Sequence, residues 1–272
     1  MKNILLIATL FSCLIFMACE EESSIGTVNI LSVQAYLHAG EMLDSVKFDK
    51  VIPLDSLAAI ASPNDLTPIV KTNNGESFPL GFTGVDGIYG NPDLVVEMGQ
   101  SYTLEVEFNG EFVQAETFIP AAPEDLLLSD TIVRRSKIRD FTDLINQGTP
   151  DPIEITWTGE DGGFYFVDVE NIENNPEVIN ELFEDGNAPQ LQNILTEPST
   201  LTSYAINAFQ DITHYGLHQV TVYRVNPEYV VLYESNTGGT GSINEITTNV
   251  TNGFGIFTGL NSRSTFFEVK KP

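Results

Sequence analysis

Cysteine is almost missing from this 272-residue chain, which has only Cys13 and Cys19. A disulfide framework, a cysteine-ligated zinc site and a thiol nucleophile are therefore excluded from the body of the chain. Positive charge is scarce too: 12 Lys and Arg stand against 38 Asp and Glu, a net charge of -26. Such a field repels nucleic acid and anionic headgroups. There is no G-x-S-x-G elbow, no H-E-x-x-H pair, no P-loop and no dinucleotide fingerprint, so the usual hydrolytic and nucleotide chemistries find no foothold. What is present, 42% hydrophobic and 10% aromatic residues, is too apolar for a disordered chain, and the length allows two domains.

The one long apolar run, Ile4 to Ala18, is interrupted by Thr9, Ser12 and Cys13. It follows Lys2 and falls short of the ~20 residues a spanning helix needs, which is the form of a secretory signal core. It ends in "FMAC", which resembles a bacterial lipobox, with Ala18 before the cleavage point and Cys19 as the acylated first residue of the mature chain. The reading is a lipoprotein signal peptide at 1-18 and an acidic tether at 19-25. Two or three acyl chains hold a protein durably on a membrane, at about 0.8 kcal/mol per buried methylene. Glu20, Glu21 and Glu22 directly after Cys19 resemble an export signal for the cell exterior. The mature chain of 254 residues would keep 11 basic and 38 acidic side chains, because residues 1-18 contain one Lys and no acid.

Beyond the tether the dominant period is two. "SVQAYLHA" alternates Val33, Ala35 and Leu37 against Gln34, Tyr36 and His38. "PIVKTNNGESFPL" sets Asn73-Asn74-Gly75 between apolar runs, and "SYTLEVEFNGEFVQAETFIP" turns at Asn109-Gly110, both hairpin signals. Residues 26-122 thus read as an immunoglobulin-like β-sandwich. Residues 123-152, with "RRSKIR", read as a linker or charged edge strand, or as a contact for acidic faces. From Ile153, "IEITWT", "FYFVDVE", "SYAINAF", "LHQVTVYRV", "GFGIFTGL" and "TFFEV" alternate again. A helix is expected from Pro176 to Glu184 and another after Asn226 as N-cap, with Pro227 at its first position. The fold class is all-β: the first sandwich, then a second β-sandwich or partly closed barrel over 153-272 with helical insertions.

Four segments carry a resemblance: "VQAYLHAG", "GQSYTLEVEFNGEFVQAETFIP", "YGLHQVTVYRVNPEYVVLY" and "NVTNGFGIFTGLNS". Together they resemble an uncharacterised domain-of-unknown-function family of Gram-negative surface lipoproteins often encoded beside TonB-dependent receptors. The resemblance implies architecture and an outer-membrane location facing the exterior, without a reaction. Acylation of Cys19 makes membrane lipid one expected partner, and the resemblance implies an outer-membrane transporter as another.

Candidate sites remain few. His214 and His218, four apart, are spaced as metal ligands can be, but no third ligand is fixed by spacing. Glu160, Asp161, Asp168, Glu170 and Glu173 offer oxygen to calcium without EF-hand spacing. Tyr165, Tyr204, Tyr215, Tyr223, Tyr229 and Tyr233 crowd the second unit and could line a ligand cleft, with Tyr204, Tyr215, Tyr229 and Tyr233 as the candidates, and long insertions there place the expected recognition surface. No cofactor, no catalytic residue and no nucleic-acid partner is assigned. The expected function is a non-enzymatic binding or accessory protein. The alternatives are a structural or adhesive surface module, or a secreted hydrolase using paired carboxylates.

Overall fold

The computed structural model describes residues 30-51, 62-146, 148-183, 193-237 and 248-272. The expected signal peptide, Cys19, the three acids after it and the Gly-rich stretch at 238-242 lie outside them. Among the described residues three sheets form, of nine, five and three strands, and none closes into a barrel. Of the two architectures left open for the second unit, the sandwich is the one formed.

The first core is built by alternation. In β1 (Leu31–His38), Leu31, Val33, Ala35 and Leu37 are buried, and in β7 (Ser101–Phe108) and β8 (Glu111–Phe118) the inward set is Tyr102, Leu104, Val106, Phe108, Val113 and Ala115. β7 and β8 meet across Asn109 and Gly110, both at positive φ, the conformation a two-residue hairpin requires. With β3 (Ile69–Thr72), β4 (Ser77–Pro79) and β16 (Val250–Thr251) they make the five-stranded sheet. Opposite stand β1, β2 (Met42–Lys50), β5 (Gly81–Phe82) and β6 (Ile88–Val95) of the nine-stranded sheet.

The second core lies between β9 (Glu124–Leu128), β11 (Ile153–Thr158) and β14 (Ser203–Ile206) on one side and the continuation of the large sheet on the other. That continuation comprises β10 (Ile132–Arg134), β12 (Phe164–Asn171), β13 (Ile194–Leu195) and β15 (Gly216–Val225). Ile153, Ile155, Trp157, Val167, Val169, Val220 and Val222 fill the space between.

One strand, β17 (Gly253–Lys270), joins the two halves. The alternating segments "GFGIFTGL" and "TFFEV" are its two ends rather than separate strands. Residues Gly253–Leu260 pair in parallel with β1, and Leu260–Val269 pair antiparallel with β15. Phe257 is buried in the first core and Phe267 in the second. Residues 250-260, read in sequence as part of the second unit, therefore help to complete the first. Gly255 permits the close pairing: its φ is +105°, and a Cβ there would collide with the Val33 carbonyl. The connection after β8 is tied to the same strand, since Asn261 Nδ2 donates to the Pro120 carbonyl at 2.8 Å and Arg263 Nε to that of Pro123 at 2.7 Å.

The helix expected from Pro176 is not formed. Val178 and Asn180 make isolated β-bridges to His214 and Ile138, Ile179 is fully buried, and only a 3-10 turn at Glu181–Phe183 is helical. β-branched Val178 and Ile179 gain more from packing against the sheet than from helical hydrogen bonds. "RRSKIR" serves both of its readings. Its first arginine ends edge strand β10, while Lys137 holds Glu177 at 2.9 Å and also pairs with Glu181. Lys271 at 2.7 Å and Lys137 together hold the Glu177 carboxyl down to about 2. A short helix, α1 (Phe141–Asn146), follows.

Helix α2 (Pro227–Thr237) starts where expected, with Pro227 first. The Asn226 side chain is spent on tertiary structure: its Nδ2 donates to Thr117 Oγ1 at 3.0 Å and to the Phe118 carbonyl at 2.8 Å. Glu228 Oε1 accepts from the hydroxyls of Thr117 and Thr258, both at 3.0 Å. The first turn of α2 is thereby fixed at the junction of the two sandwiches.

Candidate functional site

Residues of the large sheet that alternate with the core-facing ones point to its other face. At the junction these are Tyr36 and His38 on β1, Leu260 on β17, Tyr223 on β15, and Phe166 and Asp168 on β12. With Tyr229 of α2 they line a cleft of about 290 Å³. It therefore draws on both sandwiches and on the helix that bridges them.

Its geometry follows from register. Phe166 and Tyr223 are direct cross-strand partners, and their rings stack with centroids 4.6 Å apart and planes at 15°. Phe166 also stacks with Tyr229, at 5.6 Å and 15°. Tyr36 meets Tyr229 edge-on at 6.2 Å, and His38 meets Tyr223 edge-on at 6.3 Å. Both offset-stacked and edge-to-face pairs match the quadrupole of the rings. Next to this aromatic group runs a cross-strand row of Asp168, Thr221 and Ser264. The Thr221 and Ser264 hydroxyls share a hydrogen bond of 2.9 Å, and Gln219 Nε2 donates to both.

Burial, and then the neighbouring Glu170, push the Asp168 carboxyl up. Burial first, then Asp168, Glu41 and Glu170, raise the Tyr223 phenol, and burial with Tyr36 and Tyr233 raises Tyr229. The cleft is thus an aromatic hollow in a locally negative field. A wider hollow of about 380 Å³, lined by Ile30, Phe108, Glu111 and Phe254 among others, brings fewer rings together.

The residues proposed from sequence are dispersed. His214 and His218 are both buried in the second half of the molecule. Thr213 Oγ1 lies 2.7 Å from His214 Nδ1. The His218 ring stacks on Phe267 at 4.8 Å, Nδ1–H faces the Gly216 carbonyl at 3.1 Å, and Asn171 Nδ2 donates to Nε2 at 3.3 Å. Burial pushes His218 down to about 4 and lowers His214 as well. Both act as packed, neutral side chains, and among the described residues no three His, Cys, Asp or Glu converge as a metal site would need. Of the calcium candidates, Glu160 pairs with Arg224, Glu173 accepts from the Leu217 amide, and Asp168 faces the cleft.

Among the tyrosines, Tyr229 lines the cleft and Tyr233 sits one helical turn further on. Tyr215 is buried in the second core with its hydroxyl donating to the Arg135 carbonyl at 3.0 Å, and Tyr204 packs at the margin of that core. Tyr223, one of the crowded tyrosines of the second unit, lines the cleft as well, whereas Tyr36, His38, Phe166, Asp168 and Leu260 are not residues that the sequence singles out as lining a ligand cleft. The signal it does carry is an aromatic on the face of a strand opposite its aliphatic residues, at Tyr36, Phe166 and Tyr223.

Fold and cleft define a tandem β-sandwich protein with an aromatic hollow at the junction. The chain belongs to the family described as a domain of unknown function (DUF4249), which matches residues 18–265. Comparison with curated proteins gives no match. Among solved structures it is similar to a two-fibronectin-type-III-domain segment from chicken tenascin, at 9% identity, with 88% of this chain and 97% of that chain covered and a TM-score of 0.27. At that TM-score the likeness carries no weight.

Proposed function

We propose that this chain is a lipid-anchored, non-enzymatic binding protein of the outer membrane that faces the cell exterior, takes its ligand in the junction cleft and serves as an accessory to an outer-membrane transporter. The observation that carries the binding role is the convergence of four aromatic side chains and a carboxylate, from two sandwiches and a helix, on one hollow. The anchor rests on Ala18-Cys19 after a short apolar run, and the transporter on the family resemblance of the strand motifs. Among the described residues no helix is long and apolar enough to cross a membrane; in this reading acyl chains on Cys19 supply the attachment.

Fractionation and capture test both parts. Cys19→Ala moves the protein from the membrane to the soluble fraction, whereas unchanged membrane retention refutes the lipid anchor. Replacing Glu20, Glu21 and Glu22 by Ala reduces protease accessibility on whole cells if these acids direct display. Affinity capture from intact outer membranes recovers a transporter with the wild type and loses it with Tyr229→Ala; capture that ignores the cleft substitution refutes the cleft as the binding site.

A further inference from the structure

Resting on the reading of the junction cleft as a binding site, we propose that it takes an organic cation, an alkylammonium or guanidinium head whose apolar flanks lie against Tyr36, Tyr223 and Tyr229 and whose charge is met by Asp168. The lining contains one carboxylate and no Lys or Arg. Glu41 and Glu170 extend the negative field over Tyr223. None of the ion pairs formed among the described residues involves Asp168.

Three other ligand classes fit less well. An anion would meet Asp168, Glu41 and Glu170 with no Lys or Arg in the lining to offset them. A polyhydroxylated ligand needs donors and acceptors directed at it, yet the nearby Thr221, Ser264 and Gln219 are hydrogen-bonded to one another. A purely apolar ligand would bury Asp168 further, and burial already disfavours its charged form. A cation reverses that last cost, because it stabilises the ionised carboxylate, and it is drawn by the negative faces of the rings, an attraction that grows as water is excluded. The source of the head is either a free small amine or a Lys or Arg side chain of a partner; the recognition chemistry is the same.

Calorimetric titration of the full-length protein in detergent tests this with choline, its neutral tert-butyl isostere, N-acetyl-arginine amide and methyl glucoside. Choline or the arginine derivative binds at least about tenfold tighter than the isostere, a difference of about 1.4 kcal/mol. Which of the two is preferred separates the free amine from the side-chain source. Asp168→Asn, nearly isosteric, removes most of that preference while leaving the isostere unchanged; Tyr229→Ala weakens every cleft ligand, and Tyr229→Phe restores binding. Equal binding of isostere and choline, or binding of the glucoside in their place, overturns the cation while leaving the cleft as a binding site. Failure of both cations to bind at millimolar concentration also overturns it, and capture from outer membranes then decides the broader reading on its own.

Discussion

Phe257 and Phe267 stand on one uninterrupted strand, project from the same face of it and fill different cores. The two sandwiches are therefore mechanically and thermodynamically joined through β17. Phe257→Ala should cost about 3–5 kcal/mol, as loss of a buried aromatic side chain does. The only tryptophan, Trp157, is buried in the second core and reports on it. Its fluorescence should shift to the same lowered denaturation midpoint as circular dichroism of the whole chain. A Trp157 transition left at its wild-type midpoint would show that the two halves unfold independently.

Gly255→Ala should destabilise by about 2–4 kcal/mol, because positive φ and a collision with the Val33 carbonyl act together. Gly40 is the control: its φ is +83° but nothing lies within 4 Å of where an added methyl would sit, so Gly40→Ala should cost only about 1 kcal/mol. Urea midpoints of the two variants compare them directly, and equal losses would remove the special role of the β1–β17 contact.

Acid should weaken the fold before the carboxylates titrate. His218 is held near 4 by burial, against an ordinary value of 6.5, so between those limits the unfolded chain binds the proton first. The stabilisation is complete above 6.5, declines by about 2 kcal/mol at pH 5 and is lost as pH falls through 4. His214, lowered for the same reason, adds in the same direction. Denaturation midpoints between pH 7 and 5 measure this; His218→Gln should flatten the dependence, and a flat profile in the wild type would contradict a buried neutral imidazole.

Glu228→Ala removes the acceptor for two buried hydroxyls, Thr117 and Thr258, and should cost about 1–3 kcal/mol. Because Tyr229 follows it on the same turn, amide exchange over α2 should quicken and the cleft should loosen. Glu228→Gln keeps one acceptor oxygen and should lose less. Exchange unchanged in the alanine variant would mean that packing alone holds the helix.

The hairpin from Ser101 to Phe118 was legible in sequence because its period-two pattern and Asn-Gly turn are local. So was the start of α2 at Pro227. The continuity of β17 was not, since Phe257 and Phe267 look alike in sequence and nothing local says that they enter different cores. Residues 176-184 misled because apolar spacing alone suits a helix, whereas Val178 and Asn180 are bridged to the distant His214 and Ile138. The cleft was half visible: Tyr229 stands among the crowded tyrosines of the second half, but Tyr36 reaches it only through the parallel pairing of β1 with β17.

That pairing also governs timing. Val33 near the start of the described chain takes its parallel neighbour, Gly255, from roughly 220 residues later, a separation that slows folding because loop closure costs entropy before contact repays it. The first sandwich lacks the strand beside β1 until residues 253-260 have been made, so it cannot mature before then. β17 thus fixes when this protein folds as well as what it folds into.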